Sequence, residues 1–249
     1  MKAYLLAAGL GTRLRPLTDH VPKCLLPVGG EPLLGRWLRA CRRSGVREVL
    51  VNTHHLAAAV EDFVEGPGRA YGVRVRLFHE ERLLGSAGTV RAARDFACQE
   101  PSFFILYADN VSDVDLKHLS ASHSRHRAVM TIGLFRAPRP ERCGIAVLDG
   151  RGRVIEFEEK PQRPRSPWAS AGIYVARQGL FDRLDAIAAA RSAEAQPAET
   201  DALDFGHDVL PRLAARGDLR GYFIEEELVD VGTPESYAAV NGRLWREQG

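Results

Sequence analysis

Short apolar runs alternate with stretches of helical periodicity along the first half of the chain. Apolar runs of about four to eight residues have the length of buried strands, whereas helices space their apolar residues three or four positions apart. One helical stretch places Leu34, Leu38 and Cys41 on a single face. Alternating strands and helices predict an α/β fold with a mostly parallel sheet covered by helices. The predicted strands are Ala3–Ala7, Glu48–Asn52, Val73–Phe78, Phe103–Tyr107, Val129–Phe135, Val154–Phe157 and Gly172–Val175.

The second half of the chain departs from this alternation. An Asp149-Gly150 turn between the apolar segments Ile145–Leu148 and Val154–Phe157 predicts a β-hairpin. The polar segment Arg191–Asp204 predicts a mobile surface loop. We therefore expect a single Rossmann-like domain, in which a mostly parallel but mixed sheet is flanked by helices.

A final helix is predicted over residues 233–246. Thr233 is a suitable N-cap, Pro234 suits the first helical position, and Glu235 lies near the positive end of the helix dipole. These three signals define the start of the helix from local sequence alone.

Composition excludes several classes of protein. The 249 residues carry a net charge of +2 and a mean hydropathy of −0.20. No apolar run approaches the ~18 residues that span a bilayer, and a nearly neutral chain is not a general nucleic-acid binder. The four cysteines include no Cys-x-x-Cys pair, which argues against a disulfide framework or a zinc knuckle. We expect a cytoplasmic protein that binds neither membrane nor nucleic acid.

A glycine-rich turn follows the first predicted strand, in the stretch Leu6-Ala7-Ala8-Gly9-Leu10-Gly11-Thr12-Arg13-Leu14. Glycines in such a turn let backbone N–H groups approach a phosphate closely. The turn is not a dinucleotide fingerprint, because Leu14 stands where a third glycine is needed, nor is it a P-loop, because Gly-Lys-Ser/Thr is absent. Arg13 and Lys23 add a guanidinium and an ammonium, which can clamp a pyrophosphate and neutralise a further phosphoryl group.

The run from Gly9 to Thr18, closed by Pro22-Lys23, resembles the signature Gly-x-Gly-Thr-Arg-Leu-x-Pro-Leu-Thr…Pro-Lys of the sugar-1-phosphate nucleotidylyltransferases. The resemblance implies one nucleotidyltransferase domain over residues 1–249. Its nucleotide-binding part would cover about 1–110, its sugar-binding part about 111–232, and its C-terminal helix 233–246. The resemblance implies catalytic roles for Arg13 and Lys23, and nucleotide contacts for Leu6, Ala8, Gly9, Gly11 and Thr12.

Further motifs extend the resemblance to the sugar-binding part. Phe157-Glu158-Glu159-Lys160-Pro161 is similar to the family's Glu-Lys-Pro element, which implies that Lys160 binds the sugar phosphate and Glu159 the sugar hydroxyls. Gly144 matches a glycine whose backbone faces the sugar. The segment Ala171-Gly172-Ile173-Tyr174 is similar to the family's Asn-Ala-Gly-Ile-Tyr strand. Ser170 stands in place of the asparagine, and the resemblance implies that it belongs to the sugar-phosphate site.

Two aspartates are candidates for a magnesium site. Asp109 closes the apolar strand that ends at Ala108, and Asp230 ends a second apolar stretch. Carboxylates at the ends of parallel strands commonly face a ligand crevice. In the family the matching pair holds the catalytic Mg²⁺, and this ion is suited by carboxylate oxygens completed by substrate phosphates.

The nucleotide base is the least constrained part of the prediction. Leu84-Gly85-Ser86-Ala87-Gly88-Thr89 resembles the Leu-Gly-Thr-Ala-Gly turn of guanylyltransferases that act on mannose- or heptose-1-phosphate. Gly88 falls where pyrimidine-specific relatives often have a glutamine, which favours GTP. The resemblance also implies that Gly85 and Gly88 bind the nucleotide, with Asn52 nearby.

The implied reaction converts an NTP and a sugar 1-phosphate into an NDP-sugar and pyrophosphate, with Mg²⁺ as cofactor. These small molecules are the expected partners, and a homo-oligomer is left open. A UTP- or dTTP-dependent enzyme acting on glucose-1-phosphate or N-acetylmuramate-1-phosphate is the alternative within the same class. A catalytically silent subunit that binds NDP-sugars is the alternative from a different class.

Overall fold

The computed structural model describes residues 1–194 and 202–247, which form thirteen strands and seven α-helices. The strands are β1 (Lys2–Leu6), β2 (Pro27–Val28), β3 (Glu31–Pro32), β4 (Glu48–Thr53), β5 (Arg74–His79), β6 (Ser102–Tyr107), β7 (Asn110–Ser112), β8 (Met130–Arg136), β9 (Gly144–Leu148), β10 (Val154–Glu159), β11 (Trp168–Arg177), β12 (Leu219–Phe223) and β13 (Leu228–Asp230). The helices are α1 (Leu33–Arg43), α2 (Ala57–Glu65), α3 (Ser86–Ala92), α4 (Leu116–Ser124), α5 (Gly179–Glu194), α6 (Leu210–Ala215) and α7 (Pro234–Glu247).

The chain divides into two compact units. The first unit comprises Met1–Arg82, Leu106–Leu116 and the residues from Glu226 onward, and the second comprises Leu83–Ile105 and Lys117–Glu225. Each unit therefore combines segments that are distant in sequence, so residues of one site in a unit need not be neighbours along the chain.

Three long parallel strands lie in the first unit. β4 pairs in parallel with both β1 and β5. Helix α1 packs its predicted apolar face inward, because Leu34, Leu38 and Cys41 are completely buried. The start of α7 is also confirmed: Thr233 Oγ1 accepts a hydrogen bond of 3.2 Å from the N–H of Ser236, as an N-cap does.

Strand pairing in the second unit is mixed. β8 pairs antiparallel with β11 and parallel with β12, and β9 pairs antiparallel with β10. The predicted hairpin is confirmed, and Asp149 holds its turn by accepting backbone N–H bonds from Arg151 and Arg153, each of 2.9 Å. These parallel and antiparallel pairings, together with the flanking helices, confirm the predicted α/β class with a mixed sheet.

Some predicted boundaries are wrong. β11 has ten residues rather than the four of Gly172–Val175, because its register shifts between Ser170 and Tyr174 and interrupts the alternation of the sequence. The predicted loop Arg191–Asp204 begins too early, since α5 continues to Glu194 through a run of good helix formers. Residues 195–201 of that predicted loop lie outside the described residues.

The structure bears on the expectations about membrane-spanning segments and about the cysteines. In the described parts of the chain, no helix combines the length and apolarity that crossing a membrane requires. All four cysteines are free thiols, and burial raises the pKa of Cys24 and of Cys41 to about 12.

Candidate active site

The glycine-rich turn leaves β1 and is fixed at Gly11. Gly11 has a left-handed backbone with φ of 63°, and a Cβ there would lie 2.8 Å from Thr18 Cγ2. The Thr18 hydroxyl donates a hydrogen bond of 2.8 Å to the Gly11 carbonyl. Only glycine combines this conformation with so close an approach. A Cβ at Gly9, by contrast, would meet no atom within 4 Å, so the turn is open at that point.

The other predicted nucleotide contacts at this turn occupy the same short segment. Leu6 ends β1, and its carbonyl accepts a hydrogen bond of 3.0 Å from the N–H of Ala108. Ala8 is nearly buried, and Thr12 begins a 3₁₀ turn over Thr12–Leu14. The turn thus joins a buried strand to an exposed segment, and its contact with phosphate stays a prediction.

The Lys23 ammonium lies against two carboxylates. Its Nζ is 2.7 Å from Asp109 Oδ2 and 4.0 Å from Asp230 Oδ1, although these residues are 86 and 207 positions further along the chain. Only 9% of the Lys23 side chain is exposed. A largely buried ammonium is stable here because it is paired.

Strands β7 and β13 bring the two aspartates together. Asp230 pairs with Asn110 across this two-stranded antiparallel sheet, and the N–H of Val231 donates to the Asp109 carbonyl over 3.2 Å. Desolvation by the surrounding segments and the negative charge of Asp109 raise the pKa of Asp230, while the positive charges of Lys23 and Arg13 oppose the shift. The shift occurs although 58% of the Asp230 side chain is exposed. The carboxylates are therefore close enough to repel each other.

Arg13 reaches the same place from the glycine-rich turn. A Cβ at Gly232 would lie 3.0 Å from Arg13 Nη2 and 2.8 Å from Asp230 Oδ2. The absence of a side chain at Gly232 therefore lets the guanidinium and the carboxylate approach each other. The structure thus brings together four predicted residues of the first unit, Arg13, Lys23, Asp109 and Asp230. It adds Gly232, which was not predicted because nothing in the local sequence shows that Arg13 lies next to it.

This group fits a magnesium ion that is completed by substrate. No cluster of three or more His, Cys, Asp or Glu side chains suited to a metal occurs in the described ranges. The two carboxylates alone would leave most positions around Mg²⁺ to water and phosphate oxygens, which is the usual arrangement for this ion. Desolvation and repulsion from Asp109 raise the pKa of Asp230, and a cation between the two carboxylates would relieve that repulsion.

Asn52, a predicted nucleotide contact, has both ends of its amide engaged by the protein. Its Oδ1 accepts a hydrogen bond of 2.6 Å from the N–H of Ala7, and its Nδ2 donates to Glu80 Oε1 over 2.8 Å. Glu80 was not predicted from the sequence, where it is the first of two adjacent glutamates.

In the second unit, Glu159 lies in a cradle of two glycines. A Cβ at Gly144 would lie 2.5 Å from Glu159 Oε2, and a Cβ at Gly206 would lie 2.6 Å from the same oxygen. Lys160 Nζ is 3.4 Å from Glu159 Oε1. Lys160 has a φ of 49°, a strained conformation for a residue other than glycine, and such strain is concentrated at functional sites. The structure therefore brings Gly144, Glu159 and Lys160 together, and their contact with a sugar phosphate stays a prediction.

Ser170 takes part in a second polar group of this unit. Its hydroxyl lies 3.0 Å from the hydroxyl of Tyr174, whose ring stacks on Phe205 at 5.5 Å between centroids. Asp204 caps the π-helix Phe205–Val209 by accepting from the N–H of Gly206 over 2.7 Å. π-Helices are rare in proteins, and those that occur are often found at functional sites. Asp204 and Gly206 were missed because their partners are far away in sequence.

Gly85 and Gly88 pack against the segment before that π-helix. A Cβ at Gly85 would lie 2.5 Å from the Leu203 carbonyl oxygen, and the N–H of Gly88 donates to that oxygen over 3.0 Å. Ser86 Oγ also donates to Asp204 Oδ2 over 2.8 Å. These contacts give the glycines a packing role, and their contact with a nucleotide stays a prediction.

With this geometry in view, comparison with known proteins identifies the class. The chain belongs to the nucleotidyl transferase family, because the model of that family matches residues 2–247.

The individual relatives are named as enzymes that act on sugar 1-phosphates. The zebrafish (Danio rerio) mannose-1-phosphate guanylyltransferase catalytic subunit beta is 30% identical over 240 residues, which are 95% of this chain and 62% of the relative. A UTP–glucose-1-phosphate uridylyltransferase of Synechocystis is 30% identical over 264 residues, covering 99% of this chain and 64% of the relative. The chain thus spans somewhat less than two thirds of the length of these proteins.

A solved structure agrees with the fold. A Bacillus anthracis protein described as a glucose-1-phosphate thymidylyltransferase, crystallised with a sucrose, superposes with a TM-score of 0.83 at 25% identity. The match covers 98% of this chain and 95% of the other.

Proposed function

We propose that this protein transfers a nucleotidyl group from a nucleoside triphosphate to a sugar 1-phosphate, releasing pyrophosphate. The observation that carries the proposal is the Lys23 ammonium at 2.7 Å from Asp109, with Asp230 beside it and Arg13 at the glycine-rich turn. Such a group of charges is suited to phosphoryl groups and a divalent cation, and it occurs in a member of the nucleotidyl transferase family.

The chemistry is a direct displacement. An oxygen of the sugar phosphate attacks the α-phosphorus in line, a new P–O bond forms, and the bond from the α-phosphorus to the bridging oxygen of the pyrophosphate breaks. No general base is required, because a phosphate monoester with a second pKa of ~6 is largely dianionic at pH 7. The barrier arises mainly from bringing two polyanions together, so catalysis consists of positioning and charge neutralisation.

Each charged residue has a role in this scheme. Arg13 holds the departing pyrophosphate by two parallel N–H donors, and Lys23 neutralises charge at the α-phosphate. Lys160 anchors the incoming sugar phosphate, and Glu159 receives sugar hydroxyls. Asp109 and Asp230 would hold Mg²⁺, which supplies further neutralisation of phosphate charge when bound.

Within this class we propose GTP as the donor and a mannose- or heptose-1-phosphate as the acceptor. Gly88 in place of a glutamine supports a purine, and the name of the zebrafish relative supports the same pair. UTP with glucose-1-phosphate is the second candidate, favoured by the name of the Synechocystis relative, and dTTP is favoured by the description of the Bacillus anthracis structure. The four free thiols fit the reducing cytoplasm, which we propose as its location.

A pyrophosphate-release screen tests the proposal. The purified protein is incubated with Mg²⁺, each of five nucleoside triphosphates and a panel of sugar 1-phosphates. Release with GTP and mannose- or heptose-1-phosphate is expected. Release only with UTP or dTTP would retain the reaction and reject the donor, whereas binding of an NDP-sugar with no release from any pair would favour the silent subunit.

A further inference from the structure

Asn52 joins the carboxyl ends of three neighbouring strands in the first unit. β1, β4 and β5 are parallel neighbours, and Leu5 pairs with Val51 and Asn52 with Phe78. Directly after β1, the N–H of Ala7 donates to the Asn52 side chain over 2.6 Å instead of to a main-chain carbonyl. The side-chain amide of Asn52 therefore binds the backbone at the point where the chain leaves the sheet and enters the glycine-rich turn.

Glu80 holds that amide in its orientation. Its Oε1 accepts from Asn52 Nδ2 over 2.8 Å, which directs the Asn52 oxygen toward Ala7. The Glu80 N–H donates to the Thr53 carbonyl, and the Glu80 carbonyl accepts from His54 Nδ1, each over 2.8 Å. Asn52 is 5% exposed and Glu80 3% exposed, so these bonds are shielded from water and are costly to break.

The glycine-rich turn is consequently fixed at both ends. Asn52 fixes it at Ala7, and the Thr18 hydroxyl fixes it at Gly11 over 2.8 Å. Between these points Gly9 and Leu10 are exposed. A loop that is held before its ligand arrives loses less conformational freedom on binding, and this increases affinity.

We propose that Asn52 and Glu80 are positioning residues, which act on the nucleoside triphosphate through the backbone of the Ala7–Gly11 turn rather than by touching it. The inference rests on the proposed function and deepens it, because it assigns a task to a buried carboxyl group that the mechanism does not otherwise use. It also replaces the predicted direct contact of Asn52 with the nucleotide.

A charge-swap experiment tests the proposal. Asn52→Asp keeps the acceptor for the Ala7 N–H but sets two carboxyl groups against each other in a buried place. The double variant Asn52→Asp/Glu80→Gln supplies an amide donor opposite the new carboxylate and restores the pair. Glu61→Gln, at an exposed position of α2, is the matched control.

Steady-state kinetics should separate binding of the two substrates. Asn52→Asp should raise the KM for the triphosphate at least about tenfold, which corresponds to about 1.4 kcal/mol, because repulsion from Glu80 displaces the side chain that holds the turn at Ala7. The KM for the sugar phosphate should stay within about twofold, and the double variant should recover most of the loss. A double variant as poor as Asn52→Asp would overturn the proposal, since that is the result expected if the Asn52 amide itself contacts the nucleotide.

Amide hydrogen exchange provides a readout that does not need the reaction. Exchange at Ala7 and in the turn should accelerate in Asn52→Asp and return toward the wild-type rate in the double variant. If wild-type protein releases no pyrophosphate with any substrate pair, the proposed function fails, but this pattern would still support the positioning of the turn. Unchanged exchange in Asn52→Asp would overturn the inference by itself.

Discussion

At the scale of single residues, charge placement defines the candidate active site. Lys23 is the most buried of its charged groups, yet its Nζ lies within 4.0 Å of two carboxylates. An ammonium held in this way needs little rearrangement when phosphate charge arrives, which is the condition for effective electrostatic catalysis.

Replacement of Lys23 tests this directly. Lys23→Met keeps the aliphatic stem and removes the charge, so we expect kcat to fall by about 10²- to 10³-fold, as for loss of one preorganised donor. Circular dichroism should show the fold retained. Lys117→Met, at an exposed lysine of α4, is the control, and near-full activity of Lys23→Met would remove Lys23 from the catalytic group.

Asp230→Asn tests whether the Asp230 carboxylate holds Mg²⁺. The amide lacks the charge that attracts Mg²⁺, so the Mg²⁺ concentration for half-maximal activity should rise roughly tenfold. The measurement is an activity titration with Mg²⁺ beside Asp113→Asn, which changes an exposed aspartate of the same unit. An unchanged titration for Asp230→Asn would mean that Asp230 does not hold the ion.

Sequence reasoning found residues that belong to contiguous motifs. Arg13 and Lys23 stand in one motif, and Asp109 follows an apolar strand, so their chemistry was visible before the structure. Glu80 and Asp204 were not found, because their functions depend on bonds to residues 28 and 118 positions away. A single sequence does not show such pairs.

At the scale of elements, irregular segments position the polar group around Glu159 in the second unit. The π-helix Phe205–Val209 places Gly206 against Glu159, and β9 places Gly144 against the same carboxylate. Long strands were predicted from apolar runs, but β7 and β13 were not, because three residues are too few to show a period of two.

Gly206→Ala tests the glycine cradle. A new Cβ would lie 2.6 Å from Glu159 Oε2 and would displace the carboxylate. We expect the KM for the sugar phosphate to rise by about tenfold with little change in the KM for the triphosphate, because misplaced contacts weaken only the substrate that they hold. Gly150→Ala is the control, since a Cβ there meets no atom within 4 Å. Equal effects on both substrates would argue against the cradle.

At the scale of the whole molecule, one buried histidine links stability to pH. His123 is completely buried, its Nδ1 lies 2.7 Å from Thr131 Oγ1, and its Nε2 has no hydrogen-bond partner among the described residues. Burial, with the positive charges of Arg177 and His126, lowers the pKa of His123 to about 4. The protonated ring is therefore disfavoured in the folded protein.

The sign of the pH dependence follows from this shift. An unfolded chain takes up the His123 proton near pH 6.5, whereas the folded chain does so near pH 4. Stability should therefore be fully present above pH 6.5 and fall as the pH decreases toward 4, by about 2 kcal/mol between pH 7 and pH 5 from this residue. We would measure the free energy of unfolding in urea at pH 7 and at pH 5. Between these pH values it should fall by about 2 kcal/mol less in His123→Gln than in the wild type, whereas exposed His20→Gln should behave like the wild type. An equal fall in the wild type and in His123→Gln would contradict the assignment.

Transfer of a nucleotidyl group to a sugar phosphate can be followed in one reaction mixture by ³¹P NMR. With GTP, mannose-1-phosphate and Mg²⁺, we predict that pyrophosphate and the diphosphate diester of an NDP-sugar appear together in equal amounts, and that Lys23→Met forms neither at a comparable rate. Screening the other triphosphates and sugar phosphates in the same way identifies the substrates. Pyrophosphate together with free GMP, or inorganic phosphate together with GDP, would show hydrolysis instead, and would contradict the account.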